Sequence, residues 1–153
     1  MNGYLIREAK DGDEVSLAAI SKMSMTSSWK EEDFLAARSN PQAKVWIAEE
    51  GEAICGYCVL YFAADEGEIP SIAVDARARR RGIGKALMDR LISECHERKV
   101  TRLFLEVRSS NEAAHKLYES CGFLVAGTRR NFYSHPVEDA DVMVASLQDI
   151  QDI

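Results

Sequence analysis

The middle of the chain carries apolar runs, rich in β-branched and aromatic residues, that have the character of β-strands. Residues 44–49 and 53–62 form two such runs, and the turn Glu50-Gly51-Glu52 separates them. A second turn, Asp65-Glu66-Gly67, leads into a third run over residues 68–74. Because short turns join the consecutive runs, they predict an antiparallel meander.

The apolar period changes to that of an α-helix after this meander. Over residues 82–99 the apolar positions form one stripe, made of Ile83, Ala86, Leu87, Leu91 and Cys95. A helix is also predicted over residues 111–120, with Gly122 as its left-handed cap. Nearer the N-terminus we expect a helix capped by Asp11, and a second helix over residues 29–38.

Four further runs have strand character. They cover residues 4–8, 102–107, 123–128 and 140–147, and a loop over residues 131–139 joins the last two. No repeat, linker or low-complexity segment interrupts the chain. Residues 1–153 are therefore predicted to form one α/β domain, with a mixed sheet and helices on the sheet faces.

Composition and charge narrow the class of function. The 153 residues are 46% hydrophobic and 29% charged, which is typical of a globular domain, and the formal net charge is -6. An acidic surface disfavours nonspecific binding to nucleic-acid phosphates and suits a small-molecule or basic partner better. No apolar run approaches the roughly 20 residues of a membrane span, and the N-terminus lacks the organisation of a signal peptide. We therefore expect a cytoplasmic protein that binds neither nucleic acid nor membrane.

The four cysteines give little support to a metal or redox site. Cys55 and Cys58 form a CxxC pattern, but they lie in a predicted strand, where residues three apart point to opposite faces. No second pair of ligands has zinc spacing, since Cys95 and His96 are adjacent. We expect buried, reduced thiols and no metal. The histidines, His115 among them, are interpreted as surface or packing residues.

The most informative segment joins the strand 72–74 to the helix that follows it. It carries the run Arg79-Arg80-Arg81 and the two glycines Gly82 and Gly84. Backbone N–H groups at a helix start have no partner within the helix, and the helix dipole adds positive charge there. The glycines allow another group to approach the backbone, so the loop predicts a phosphate site. A solvated basic turn is the alternative interpretation.

Two familiar nucleotide-binding loops do not match this segment. A Walker loop requires glycine where Arg79 stands, and serine or threonine where Ala86 stands. A dinucleotide-binding loop requires its third glycine at Leu87. The remaining interpretation is a pyrophosphate-binding loop of another kind.

The run Arg79-Arg80-Arg81-Gly82-Ile83-Gly84 resembles the Arg/Gln-x-x-Gly-x-Gly/Ala motif of the GNAT superfamily of N-acetyltransferases. The resemblance implies a central, mostly antiparallel sheet with helices on both faces. It also implies that acetyl-CoA is the cosubstrate, that the loop amides hold its pyrophosphate, and that the preceding strand offers backbone groups to its pantetheine arm. The residues it assigns to the cofactor are Ile72, Ala73, Val74, Arg79, Arg80, Arg81, Gly82, Ile83, Gly84, Lys85 and Asn111.

A second block narrows the resemblance. Residues 103–111, 117–123 and 127–133 are similar to the ribosomal-protein-alanine N-acetyltransferases of the RimI type. This similarity implies direct transfer of an acetyl group to the N-terminal alanine of a small-subunit ribosomal protein, a basic partner that an acidic chain attracts. The chain has Ser27-Ser28-Trp29 where the family often has Phe-Pro-Trp, in a segment that borders the acceptor site in the superfamily.

Glu106 is the best candidate for the general base, which must leave the attacking amine neutral. On the predicted strand 102–107 it shares a face with Phe104, and partial desolvation raises the pKa of a carboxyl group. By residue type alone, an edge carboxylate paired with Arg102 or Arg108 is equally consistent. The family resemblance favours the catalytic role.

Tyr118 is the best candidate for the general acid, which must protonate the departing thiolate. It lies two helical turns after Asn111, so both side chains share one helix face. A phenol with a pKa near roughly 10 can supply that proton. A helix tyrosine half-buried against the sheet is the plainer alternative, and Asn111 could serve only as a helix cap.

Two other functions remain open on the sequence. The acceptor could be a lysine side chain, a polyamine or an antibiotic amine instead of an N-terminus. The chain could also be a CoA-binding module without activity, although such a module would not need Glu106 together with Tyr118.

Overall fold

A computed structural model describes residues 3–24 and 29–147 of the chain. Its helices and strands follow in the order β1 Tyr4–Glu8, α1 Glu14–Lys22, α2 Glu31–Ser39, β2 Ala43–Glu50, β3 Ala53–Ala63, β4 Glu66–Val74, α3 Ile83–Glu97, β5 Arg102–Arg108, α4 Glu112–Ser120, β6 Leu124–Tyr133 and β7 Glu138–Ser146. A single turn of 3₁₀-helix, Ala76–Ala78, precedes α3. The strands form one sheet in the order β1-β2-β3-β4-β5-β7-β6.

Neighbouring strands of this sheet run antiparallel, with the exception of β4 and β5, which are parallel. A parallel pair needs a crossover connection, and α3 supplies it here. The predicted meander consists of β2, β3 and β4, which pair in chain order. The expectation of a mixed, mostly antiparallel sheet is therefore confirmed.

Helices cover the sheet on both faces, as the resemblance implied. On one face α3 buries apolar side chains such as Leu87 and Leu91 against the strands. On the other face α1 and α2 bury Leu17 and Phe34. Each such burial is worth roughly 1.5–3 kcal/mol, so both layers contribute to holding the sheet between them. None of the described helices is long and apolar enough to cross a membrane.

A β-bulge overturns one expectation about the cysteines. Between two successive pairs with β2, strand β3 has one extra residue, Cys55. The bulge interrupts the two-residue alternation, so Cys55 and Cys58 face the same core rather than opposite faces. Their thiols donate to different carbonyl groups, those of Ala48 and Leu87. All four cysteines are free, and the described residues contain no group of three or more metal-ligating side chains.

The first helix is not capped as predicted. It begins at Glu14, so Asp13 rather than Asp11 precedes it. The Asp13 carboxylate accepts a hydrogen bond from the Lys10 amide and lies 2.9 Å from the Arg7 guanidinium. The prediction of a cap at Asp11 is wrong because this pairing with β1 fixes where the helix starts.

The turn before β4 is also shorter than predicted. Gly67 lies inside β4, and the turn is confined to Ala64 and Asp65. A Cβ on Gly67 would lie 3.1 Å from Leu103 and 3.2 Å from Leu60. The glycine therefore serves close packing between strand and core, and not the turn.

The loop predicted over residues 131–139 is mostly strand. β6 continues to Tyr133 and β7 begins at Glu138. Arg108 of β5 accounts for the difference, because its buried guanidinium lies 4.4 Å from the ring centroid of Tyr133 and 3.2 Å from the Glu138 carboxylate. These contacts hold both strands at the end of the hairpin, and no local sequence pattern reports them.

The packing around Gly67 can be tested by substitution with valine. Gly67→Val should lower the free energy of unfolding by about 1–3 kcal/mol, the usual cost of overpacking. Denaturation by urea, followed by circular dichroism, measures the change. Gly127→Val is the matched control in β6, since a Cβ there meets nothing within 4 Å. The control should change stability by less than about 0.5 kcal/mol, and equal losses in both variants would contradict the packing argument.

Candidate active site

A cleft opens in the sheet where β4 and β5 separate. Their parallel pairing ends at Ile69 opposite Leu105, although both strands continue. At the same point Leu60 of β3 faces two residues of β4, Ile69 and Pro70, which is a β-bulge. Proline has no N–H to donate to a neighbouring strand, so it cannot continue the ladder toward β5. The bulge and the proline together part the two strands.

The cleft brings together residues from β4, β5 and α4. Its lining consists of Ile69, Pro70, Ser71, Ile72, Leu105, Glu106, Val107, Asn111, Ala114 and Tyr118. Both predicted catalytic side chains, Glu106 and Tyr118, are therefore at one site. Of the predicted cofactor residues, Ile72 and Asn111 also line it.

The end of β4 forms one wall of the cleft. Ile72, Ala73 and Val74 pair with β3 along one edge of the strand, and β5 no longer pairs with the other edge. An unpaired strand edge presents a row of N–H and C=O groups. Such a row suits an elongated ligand that carries amides, as the pantetheine arm does.

The glycine loop follows this wall directly. Asp75 accepts a hydrogen bond from the Arg77 amide, and the backbone then turns through Arg80 and Gly82, with φ of 66° and 80°. The left-handed Gly82 stands at the N-cap of α3, and its carbonyl accepts from Ala86. The amides of the first helical turn have no acceptor in the described chain. They point outward with the positive end of the helix dipole, which makes an anion site.

Gly84 joins this loop to the cleft. A Cβ at Gly84 would lie 3.1 Å from Leu117 of α4 and 3.9 Å from Val74 of β4. The missing side chain therefore lets the first turn of α3 lie against both elements. By contrast, the Ile83 side chain is buried in the core, so Ile83 can offer only its backbone.

The basic residues of the loop have different surroundings. Arg81 forms a two-pronged pair with Glu50 at the end of β2, at 2.8 and 2.6 Å, and this hydrogen bonding lowers the pKa of Glu50. Arg79 donates to the Val74 carbonyl. Within the described residues, neither Arg79 nor Arg80 has an acidic side chain at salt-bridge distance. These two guanidinium groups are thus the better placed to meet a phosphate.

Lys85, the last predicted loop residue, pairs with Asp89 one turn further along α3, at 2.7 Å. That pair raises the pKa of Lys85. The side chain is half exposed and charged, so it adds to the positive potential at the helix start without closing the anion site.

Glu106 lies on the sheet face that is opposite α3. Its carboxylate pairs with Arg129 of β6 at 2.6 Å and is 23% exposed. The alternative partners considered from the sequence are engaged elsewhere: Arg102 with Glu66, and Arg108 with Glu138. The ion pair crosses β7, which lies between β5 and β6 in the sheet.

Glu68 is a second carboxylate that the sequence analysis missed. It lies on β4 and is paired with Phe104 of the parallel strand β5. Phe104 precedes Glu106 by two residues. Burial raises the pKa of Glu68, the charge of Glu106 raises it further, and Arg129 opposes the shift. Only knowledge of the β4–β5 pairing could have signalled this neighbour.

Tyr118 is buried, with 7% of its surface exposed, and its ring packs 6.0 Å from that of Phe123. Burial raises the pKa of its phenol, so the hydroxyl stays protonated at any working pH. Asn111 caps α4 by accepting a hydrogen bond from the Ala114 amide at 3.1 Å. Asn111 therefore caps the helix, and it also lines the cleft.

Tyr133, which the sequence analysis had placed in a loop, lies near both catalytic candidates. Burial, followed by the charge of Glu106, raises the pKa of Tyr133 to about 12. Tyr133 also contributes to the raised pKa of Tyr118. Ser27 and Ser28, in the segment that the resemblance implied to border the acceptor site, lie outside the described residues.

Similarity to known proteins agrees with this geometry. The model of the acetyltransferase (GNAT) family matches residues 15–123. The [ribosomal protein bS18]-alanine N-acetyltransferase of Escherichia coli K12 is 38% identical over 119 residues, which cover 78% of this chain and 80% of that protein.

Two solved structures share the fold of this chain. The crystal structure of the Escherichia coli ribosomal-protein-S18-alanine N-acetyltransferase has a TM-score of 0.85 and 32% identity, and 94% of each chain is covered. The Ard1 protein of Thermoplasma volcanium has a TM-score of 0.86 and 30% identity, with 95% of this chain and 98% of that chain covered.

The parted strands, the glycine loop and both predicted catalytic residues lie within the matched residues 15–123. The predictions of the fold, of the superfamily and of an enzyme that uses acetyl-CoA are confirmed. The chain belongs to the acetyltransferase (GNAT) family, and it is an acetyl-CoA-dependent N-acetyltransferase.

Proposed function

We propose that this enzyme acetylates the α-amine of an N-terminal alanine on a small-subunit ribosomal protein. The relatives named for that activity, at 38% and 32% identity, support this acceptor. The observation that carries the catalytic part is that Glu106 and Tyr118 line one cleft. We take residues 1–153 as a single acetyltransferase domain that acts in the cytoplasm, where ribosomal proteins are made.

Acetyl-CoA supplies the activated acetyl thioester. The amides at the start of α3, with Arg79 and Arg80, hold its pyrophosphate, and Ile72-Ala73-Val74 hydrogen-bonds its pantetheine arm. A thioester at the end of that arm then lies in the parting of β4 and β5, with Glu106 on one side and Tyr118 on the other. Positioning of this kind replaces a bimolecular encounter by a preorganised one.

Glu106 and Tyr118 carry out the two proton transfers of the reaction. The amine nitrogen attacks the thioester carbon, the new C–N bond forms, and the C–S bond breaks. Glu106 accepts a proton from the amine, either directly or through water, and the Tyr118 hydroxyl donates one to the sulfur. An N-terminal amine has a pKa near roughly 8 and a lysine amine near roughly 10.4, so the N-terminus demands less of the base.

Lysine side chains and small-molecule amines are the competing acceptors, and a CoA-binding module without catalysis is the remaining alternative. A binding module would need the glycine loop but not a carboxylate and a phenol at the same cleft, which favours catalysis. The formal net charge of -6 favours a basic protein over a neutral metabolite.

The acceptor can be tested with peptides. A peptide that copies the alanine-starting N-terminus of a small-subunit ribosomal protein should release CoA thiol in the presence of acetyl-CoA. The same peptide with a blocked α-amine and free lysines, and a polyamine, should release at least about tenfold less, because their amines are protonated at neutral pH. Equal rates on the blocked peptide would reject N-terminal acetylation.

Substitution of the two carboxylates tests the base. Glu106→Gln should lower kcat/KM by about 100-fold or more at neutral pH, within the range for loss of a general base. Activity should recover in part at high pH, where the amine is neutral without help. Glu68→Gln is the matched comparison on the neighbouring strand and should cost less than about tenfold. A deeper loss in Glu68→Gln than in Glu106→Gln would move the base to β4.

Tyr118→Phe tests the acid, because it removes the hydroxyl and keeps the buried ring. We expect kcat to fall by about 10- to 100-fold, while the affinity for acetyl-CoA, measured by titration calorimetry, stays within about twofold. Turnover equal to that of the wild type would remove Tyr118 from the chemistry.

The anion site can be tested at Gly82, whose φ of 80° strains any other residue. Gly82→Val should weaken acetyl-CoA binding, since it distorts the amides that receive the pyrophosphate. Gly122→Val is the matched control: its φ of 97° imposes the same kind of strain at the end of α4, in open space. Calorimetry should detect weaker binding only in the first variant. Equal weakening in both would indicate a general loss of structure.

A further inference from the structure

His115 sits on α4 between two groups that can only accept hydrogen bonds. Its Nδ1 lies 2.7 Å from the backbone carbonyl oxygen of Asn111, and its Nε2 lies 2.9 Å from the Asp141 carboxylate of β7. A neutral imidazole has a single N–H and would leave one of these contacts without a proton. Both contacts are satisfied only by the doubly protonated, positively charged ring.

The surroundings of His115 favour that charge. Ser109, after β5, and Thr128, on β6, both donate to the other oxygen of Asp141 and hold the carboxylate in place. Glu119 on α4 adds a second negative charge. The side chains of His115 and Asp141 are only 16% and 18% exposed, so their interaction is little weakened by solvent.

The His115–Asp141 pair adds a polar tie to the apolar contacts of Ala114, Leu117 and Tyr118 that hold α4 against the core. Tyr118 is the buried side chain of the helix, and Leu117 fills the space beside Gly84. His115 lies one turn after Asn111 and about one turn before Tyr118, and it ties that stretch of helix to β7. The orientation of the Tyr118 hydroxyl in the cleft therefore depends on this tie.

We propose that protonated His115 is a positioning residue, which fixes α4 to Asp141 of β7 and thereby holds Tyr118 in place for proton transfer. The proposal rests on the role of Tyr118 set out above. It assigns to this histidine a function in the reaction, where the sequence analysis had seen only a surface or packing residue.

The direction of the pH dependence follows from the contacts. Burial acts to lower the pKa of His115, but the hydrogen bonds to Asn111 and Asp141 outweigh it and raise the pKa above its usual value. The same contact lowers the pKa of Asp141. A group whose pKa is raised on folding stabilises the fold below its unfolded pKa, roughly 6.5, and the stabilisation is lost as the pH rises through the folded value.

The protonation state can be measured directly on the full chain by ¹⁵N NMR of the histidine rings. Both nitrogens of His115 should be protonated at pH 6.5, and Asp141→Asn should lower the midpoint of its titration. A ring with one bare nitrogen at pH 6.5, or a midpoint unaffected by Asp141→Asn, would overturn the proposal.

Kinetics tests the positioning. His115→Gln should lower kcat about three- to tenfold at pH 6.5 and change the KM for acetyl-CoA less than about twofold, because the amides proposed to hold the pyrophosphate belong to α3 and not to α4. The deficit should shrink as the pH rises, since the wild-type ring then loses its own proton. Arg38→Gln, which breaks an exposed ion pair with Asp11 away from the cleft, is the control and should follow the wild-type profile. A deficit that is the same at every pH would contradict a role for the charge.

A double-mutant comparison separates positioning from general stability. If His115 acts through the Tyr118 hydroxyl, His115→Gln should cost less than about twofold further in a Tyr118→Phe background. Losses that multiply would show that His115 acts elsewhere. Wild-type turnover in Tyr118→Phe alone would instead reject the assignment of the acid, whatever the NMR shows of the ring. The two proposals can thus fail separately.

Discussion

Strand β4 cannot pair with β5 beyond Ile69, because Pro70 lacks an N–H and sits in a β-bulge, and the site is built in the gap that results. Between Glu66 and Ile69, β4 pairs with β5 and the sheet is continuous. After Ile69, the edge of β4 that faced β5 is left unpaired, and the strand leads directly into the glycine loop and the start of α3. One local defect in the ladder thus leaves both an unpaired strand edge and a cleft between β4 and β5.

Residues from two chemically different faces of the sheet line this cleft. The face that carries α3 and α4 presents the helix amides and the buried Tyr118. The opposite face presents the carboxylates of Glu106 and Glu68 beside Arg129. In the proposed mechanism, a thioester bound in the gap meets Tyr118 from one face and Glu106 from the other.

Several basic side chains around the cleft are each paired with a neighbouring carboxylate. Arg129 lies between two carboxylates, Arg81 is held by Glu50, and His115 is held by Asp141. Each pair ties one secondary-structure element to another. Arg79 and Arg80, which have no acidic partner at salt-bridge distance among the described residues, belong to the glycine loop beside the anion site. Paired charges therefore hold parts of the structure together, whereas Arg79 and Arg80 are available to a ligand.

The sequence by itself determined the order and type of the elements, the mixed sheet and the glycine loop, because periodicity and turn residues are local in the chain. The family followed from the resemblance of its motifs. Tertiary structure alone decided where the alternation of faces breaks at Cys55 and Pro70, that Gly67 serves packing, and that Glu68 and Arg129 flank Glu106. It also decided which groups His115 contacts. Each of these depends on which strands become neighbours, and contacts between residues distant in sequence leave no periodic signal.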